Sequence, residues 1–157
     1  MFTVRRAREE DAEGIWRVHT SAIRCIASSH YTPEEVEAWA SPLKPEHYAE
    51  AIRNKEFYVA EEDDAVIGFG TLNPGESEIE AVYVSPGVVR RGVGSAILGR
   101  LEERARDLGL KSLKMDASLN AVPFYRSAGY EPRKGMKHRL ASGVEIGCVL
   151  MTKELSP

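Results

Sequence analysis

From Glu78 to Leu108 the chain reads as a strand, a tight glycine turn and an amphipathic helix, and this order constrains the fold more than any other stretch. Glu78-Ile79-Glu80-Ala81-Val82-Tyr83-Val84 alternates at the strand period. Ser85-Pro86-Gly87 ends the ladder, because proline donates no amide hydrogen. Val88 to Ser95 supplies the turn, and the helix after it carries Leu98, Leu101, Ala105 and Leu108 before Gly109 closes it. A helix N-terminus leaves about four amide hydrogens unpaired and carries roughly half a positive charge. Small residues there let the main chain wrap a phosphate. Gly92 and Gly94 are those residues, and Arg90 and Arg91 add charge that a diphosphate would use. A phosphorylated cofactor is the expected ligand.

Three phosphate-binding templates compete for this loop. The triphosphate loop needs a lysine followed by Ser or Thr after its last glycine, whereas Gly94 is followed by Ser95 and Ala96. The dinucleotide fingerprint keeps its first two glycines but meets Ile97 at the third, with Asp116 in imitation of the ribose-binding acid. By contrast, Val82-Tyr83-Val84-Ser85-Pro86 and Arg90-Arg91-Gly92-Val93-Gly94-Ser95-Ala96-Ile97-Leu98 resemble the central motif of the GNAT superfamily of N-acetyltransferases. Val89 departs from it, since the family usually has Gln or Arg there. Asn120-Ala121-Val122-Pro123-Phe124-Tyr125-Arg126-Ser127-Ala128-Gly129-Tyr130 is similar to the family's Asn-x-x-Ala-x-x-Phe-Tyr-x-x-x-Gly-Phe signature, with Pro123 altering the alanine register.

The resemblance covers Thr3 to Leu155 and implies a mixed α/β fold in one domain, residues 1–157. Its sheet is twisted and mostly antiparallel, with a parallel pair splayed at the cofactor site, and is flanked by helices. The implied activity is direct transfer of an acetyl group from acetyl-CoA to a primary amine of a small molecule or peptide, without a metal. The diphosphate is then held by the loop Val89, Arg90, Arg91, Gly92, Val93, Gly94 and Ser95. A bulge after Glu80 would free main-chain groups of Val82 and Val84, beside Tyr83, for the pantetheine arm. Asn120 contacts the cofactor and Tyr125 lies near its sulfur, as the acid for the departing thiolate; read as residues alone, they are a helix cap and a core ring. Glu78 and Glu80 lie two apart on a strand and share a side, so either is the candidate base, directly or through water, or both are solvated acids. His30, Tyr31, Trp39 and His138 are the candidates for the acceptor pocket, although Tyr31 is equally placed to staple onto Val36 and Trp39 to fill the core. A non-catalytic acyl-CoA sensor of the same fold is the alternative, and a homodimer is a family tendency.

The remaining sequence sets limits. A net charge of −3 does not indicate bulk attraction to nucleic acid. No apolar run approaches the roughly 20 residues that span a bilayer, and the N-terminus lacks a signal-peptide core, so a cytoplasmic protein without membrane contact is expected. Cys25 and Cys148 read as buried thiols. Strands are expected at Thr3–Ala7, Phe57–Glu61, Ala65–Leu72, Ser112–Ala117, Arg133–Leu140 and Val144–Thr152, the last two joined by Ala141-Ser142-Gly143. Asp11 is expected to cap a helix that carries Ile15, Val18, Ala22 and Ile26, with His19 at its surface; His47 is likewise placed at a helix surface. Thr32-Pro33-Glu34-Glu35 is a capping box that starts a second helix. Further helices are read at Pro45–Asn54 and Asn120–Ala128. Arg133, Lys134, Lys137, His138 and Arg139 read as a solvated strand face, or as an attraction for an acidic substrate.

Overall fold

The computed structural model describes residues 1–25, 29–140 and 142–156. Along the chain come β1 (Thr3–Arg6), α1 (Ala12–Cys25), α2 (Pro33–Ala40), α3 (Pro45–Asn54), β2 (Glu56–Glu62), β3 (Ala65–Asn73) and β4 (Glu78–Val84). Then follow α4 (Val93–Asp107), β5 (Ser112–Ser118), α5 (Val122–Ser127), β6 (Glu131–Arg139) and β7 (Glu145–Glu154). The strands form a seven-stranded sheet in the order β1-β2-β3-β4-β5-β7-β6. Every adjacent pair is antiparallel except β4 with β5. Among the described residues no helix is long and apolar enough to cross a membrane.

Strand alternation divides the core between the two faces. On β2, Phe57 and Val59 pack with Ile15 and Val18 of α1 and Ile52 of α3, while Tyr58 and Ala60 pack with α4 on the other face. α4 presents Ile97, Leu98, Leu101 and Ala105 to the sheet, all buried. It sits close because β3 offers glycines beneath it. A Cβ on Gly68 would lie 2.9 Å from Ile97, and one on Gly70 would lie 2.5 Å from Ile97 and 2.9 Å from Leu101. That seating fixes where the helix begins, and so where the glycine loop lies.

Several boundaries differ from the sequence reading for identifiable reasons. Asp11 does not cap α1. Arg5 grips its carboxylate with two bonds of 2.9 Å, and the carboxylate takes the Arg8 amide at 2.7 Å, closing a short 3-10 turn at Glu9–Asp11 before the helix. Asn120 is no helix cap either: Leu119–Ala121 form a 3-10 turn and α5 starts at Val122. Leu108 lies past the end of α4 and is 40% exposed. Cys148 is buried as expected, but Cys25 is exposed. Ile26 and Ala141 lie outside the described residues. The capping box is present as read: Thr32 Oγ1 accepts the Glu35 amide at 3.1 Å and Glu35 accepts the Thr32 amide at 2.9 Å.

The Gly70 contact has a measurable consequence. Gly70→Ala forces Ile97 and Leu101 to shift, and overpacking of this kind costs about 1–3 kcal/mol. In a chain of this size that lowers the melting midpoint by roughly 2–10 °C. Gly99, on α4 with nothing within 4 Å of its added Cβ, is the control: its change to Ala raises stability by about 0.5–1 kcal/mol. Thermal melting of both variants checks the contrast, and an unchanged midpoint for Gly70→Ala would mean that α4 is not seated on β3 this closely.

Candidate active site

The site begins where a ladder stops. β4 and β5 are paired at Glu78 and Lys114, with the Lys114 amide on Ser77 O at 3.0 Å. On the other side of β4, Thr71 faces Ala81 and Leu72 faces Ile79, so Glu80 is the extra residue of a bulge. A bulge increases local twist and bends its strand. Beyond it Ile79–Val84 and Met115–Ser118 line the two sides of a cleft that also holds Asn120 and Tyr125. The expected bulge and splayed pair are therefore both present.

At one end of the cleft lies the glycine loop, around a cavity of about 320 Å³ lined by Val82, Val84, Val89, Arg90, Asn120 and the residues 92–95. Gly92, at φ +82°, turns the chain into α4. The first helical bond runs from the Ala96 amide to Gly92 O at 3.0 Å. The amides of Val93, Gly94 and Ser95 precede it and have no carbonyl within the helix to pair with. No atom lies within 4 Å of a Cβ built on Gly92, and one on Gly94 would meet the Phe124 ring at 3.3 Å. Arg90 takes the left-handed region at φ +68° and lines the cavity.

Arg91 does not join it. Its guanidinium forks onto Glu62 at 3.0 and 2.5 Å. Glu62 also takes the N-terminal ammonium at 3.1 Å, and these two cations hold its carboxyl down at about 2. Arg91 therefore ties the loop to β2 and does not line the cavity.

On the floor of the cleft, Tyr125 is 6% exposed, and its hydroxyl has no hydrogen-bond partner among the described residues. Burial pushes the phenol well above its ordinary value, so it stays protonated and can donate. Phe124 meets it edge-on at 5.0 Å. Phe124 is only partly buried, over Gly94, and Tyr125 is the deeper of the two. Asn120 Oδ1 is buried without a hydrogen-bond partner among the described residues. A buried acceptor left unpaired is costly unless a ligand supplies the donor.

At the other end is a cavity of about 450 Å³, where Tyr31, Trp39, His138, Glu78, Glu80 and Asp116 converge. Glu80 is exposed and paired with Lys55 at 2.7 Å. Glu78 is half-buried, and burial, Asp116 and Glu80 together raise its carboxyl above the usual range. Of the residues read as pocket candidates, His30 is not brought in. It is exposed, with Nδ1 2.7 Å from Ser29 Oγ. Tyr31 lines the cavity and also braces it. Its hydroxyl donates to Gly147 O at 2.5 Å and accepts the Leu119 amide at 2.9 Å. It packs in one cluster with Val36 and meets Trp39 edge-on at 5.5 Å.

Sequence reading missed His19, which it placed at the surface. Its ring lies 4.4 Å from Tyr83 and 5.4 Å from Phe69, and Nδ1 is 2.7 Å from the Tyr48 hydroxyl. It lines the acceptor-side cavity, and burial pushes the imidazole down to about 4. Only its spacing of four from Ile15 and Ile23, both inward, could have signalled an inward tilt. Among the described residues there is no group of His, Cys, Asp and Glu that could hold a metal ion.

Comparison with known proteins agrees with this geometry. A family model described as an acetyltransferase (GNAT) domain matches residues 27–153. The N-acetyltransferase YafP of Escherichia coli (strain K12), itself uncharacterized, is 28% identical over 131 residues, covering 83% of this chain and 82% of the relative. A GCN5-related N-acetyltransferase from Rhodopseudomonas palustris superposes with a TM-score of 0.91 at 29% identity, over 98% of this chain and 95% of that one. The PaiA N-acetyltransferase of Thermoplasma acidophilum, solved with coenzyme A, shares the fold at a TM-score of 0.81 and 18% identity, over 98% and 99%.

The buried imidazole predicts a pH dependence. His19 has a folded value near 4 against 6.5 unfolded, so its contribution is complete above about pH 6.5 and is lost as pH falls towards 4, up to about 3 kcal/mol. Denaturant unfolding of wild type and His19→Gln at pH 7 and pH 4 measures it. The variant loses less stability over that range by up to about 3 kcal/mol; parallel losses would mean that the ring is not held neutral.

Proposed function

This chain belongs to the GNAT acetyltransferase family, and we propose that it transfers an acetyl group from acetyl-CoA directly to a primary amine held in the cavity beside Glu78. The observation that carries this assignment is the unpartnered hydroxyl of Tyr125, placed between the glycine loop and the acceptor-side cavity. A module that only binds an acyl-CoA needs the loop but has no use for a protonated phenol there.

Acetyl-CoA supplies an activated thioester, whose thiol leaves readily because its pKa is about 8.5. The amides of Val93, Gly94 and Ser95, with Arg90 beside them, would hold its diphosphate. Two observations support the fit: Gly92 leaves open space where a side chain would stand, and Asn120 Oδ1 awaits a donor. Val82 and Val84 line the cleft, and their main-chain groups would hold the amide-bearing arm.

The acceptor must arrive neutral. At pH 7 a lysine-like amine of pKa about 10.4 pays roughly 4.6 kcal/mol for this, and an α-amino group near 8 about 1.4. Glu78 is the group assigned to that proton, through water, because its raised carboxyl is a better base than an ordinary one. Glu80, held by Lys55, is assigned to shaping the cavity instead. Tyr125 gives its proton to the departing sulfur, and the phenolate is reprotonated by the proton that the attached nitrogen sheds as the amide forms.

Two measurements test the assignment. Coenzyme A at about 100 times its dissociation constant adds roughly 2.7 kcal/mol, a shift of about 5–10 °C in melting, while NAD and ATP add nothing comparable. Gly92→Val removes most of that shift, and a shift that survives it would put the loop assignment in error. Tyr125→Phe lowers kcat by about 10²-fold with coenzyme A affinity nearly unchanged. Equal turnover would remove the phenol as the acid, and binding without turnover over a broad amine panel would leave the chain a sensor.

A further inference from the structure

β6 is the edge of the sheet beyond β7, and all nine of its residues are exposed. Arg133, Lys134, Lys137 and Arg139 stand against a single acid, Glu131. Arg133 is held locally, by Glu131 at 3.2 Å and Thr152 at 2.7 Å. Lys134, Lys137 and Arg139 have no ion-pair partner among the described residues, although Glu145 lies across from Arg139 in the ladder. Several cations elsewhere are engaged: Arg5, Arg6, Arg91 and Arg104 each hold a carboxylate at 3.0 Å or less. A row of uncommitted cations in a chain of net charge −3 is a local feature, not a consequence of composition.

The same strand reaches the acceptor-side cavity. His138 lines it beside Ile146, its cross-strand partner, and Cys148, the partner of Met136. Pairing of β6 with a second copy of itself would set lysines and arginines against their own kind, which is unfavourable across a ladder. A segment rich in carboxylates meets opposite charge and finds the unpaired main-chain groups of an edge strand.

We propose that β6 docks an extended, acidic segment of a polypeptide acceptor, and that a lysine of the same segment enters the cavity beside His138. This placement rests on the amine site proposed above, so the test separates the two. Initial rates of free-thiol release, with acetyl-CoA saturating, are measured for cadaverine, for a peptide with one lysine flanked by glutamates, and for its alanine-flanked counterpart. The full chain and a Lys134→Glu, Lys137→Glu double variant are compared.

The glutamate-flanked peptide is expected to exceed its counterpart in kcat/KM by about tenfold, an advantage that fades as salt rises from about 0.05 to 0.5 M. The double variant loses that advantage through KM, while its rate on cadaverine is unchanged. Equal rates on the two peptides, or an advantage that survives the double variant, overturn the proposal. So does a dimer in sedimentation that the double variant dissolves, because a second copy would then own the edge. If no acceptor is acetylated while coenzyme A still shifts the melting midpoint, the amine site is at fault. Fluorescence anisotropy of the labelled peptides then reads the edge directly, and equal affinity for both overturns it.

Discussion

The parting of β4 from β5 is the constraint on which the rest of the structure depends. Neighbouring strands normally satisfy each other's amides and carbonyls, and a buried group left unpaired is costly. Here the bulge at Glu80 turns β4 away after one register pair, so its inner edge faces a cleft instead of a strand. A ligand with amides of its own restores the lost bonds, as an added strand would. The family's cofactor has such an arm, and in this chain the arm's proposed place is a gap already present in the sheet.

Holding that gap open requires both walls to be fixed from behind. On the β4 side, α4 lies against Gly68 and Gly70 and cannot drift without leaving Ile97 and Leu101 unpacked. On the β5 side, a buried carboxylate does the work. Glu102 of α4 accepts from the Tyr130 hydroxyl at 2.7 Å and from Lys153 of β7 at 3.1 Å, and Lys153 also donates to Ala128 O at 2.8 Å. One acid thus ties the loop helix, the last strand and the exit of α5 together. A buried ion pair adds little net stability over apolar packing, but removing one partner strands the other. Its value here is positional, since α5 carries Tyr125.

Much of this was legible in sequence because it is local. The strand, turn and helix from Glu78 and the capping box at Thr32 depend on residues a few positions apart, whereas the bulge near Glu80 was expected only from the family resemblance. What escaped depends on distant partners. Arg91 reads as a phosphate ligand until Glu62, 29 residues earlier, claims it. Asp11 reads as a cap until Arg5 draws it into a turn. His19 reads as surface because a polar residue on a half-apolar helix usually is; Tyr48 on α3 and Tyr83 on β4 make it an inner wall.

Those corrections also sharpen how charge is distributed. With Arg91 paired to Glu62, the proposed phosphate site rests on main-chain amides, donors that are fixed in place and need no reorganisation, with Arg90 beside them. With Glu80 held by Lys55, the amine end keeps Glu78, whose carboxyl burial and Asp116 have already raised. Between them stand uncharged groups, Tyr83, Tyr125 and a neutral His19, that neither attract a phosphate nor repel an amine. On the proposed assignment, an ammonium drawn towards Glu78 would shed its proton before reaching this neutral wall, where a charge would be poorly solvated. In the proposed reaction the order of events would follow the order of the residues: deprotonation at the acidic end, attack beside the aromatic wall, and protonation of the leaving sulfur at Tyr125.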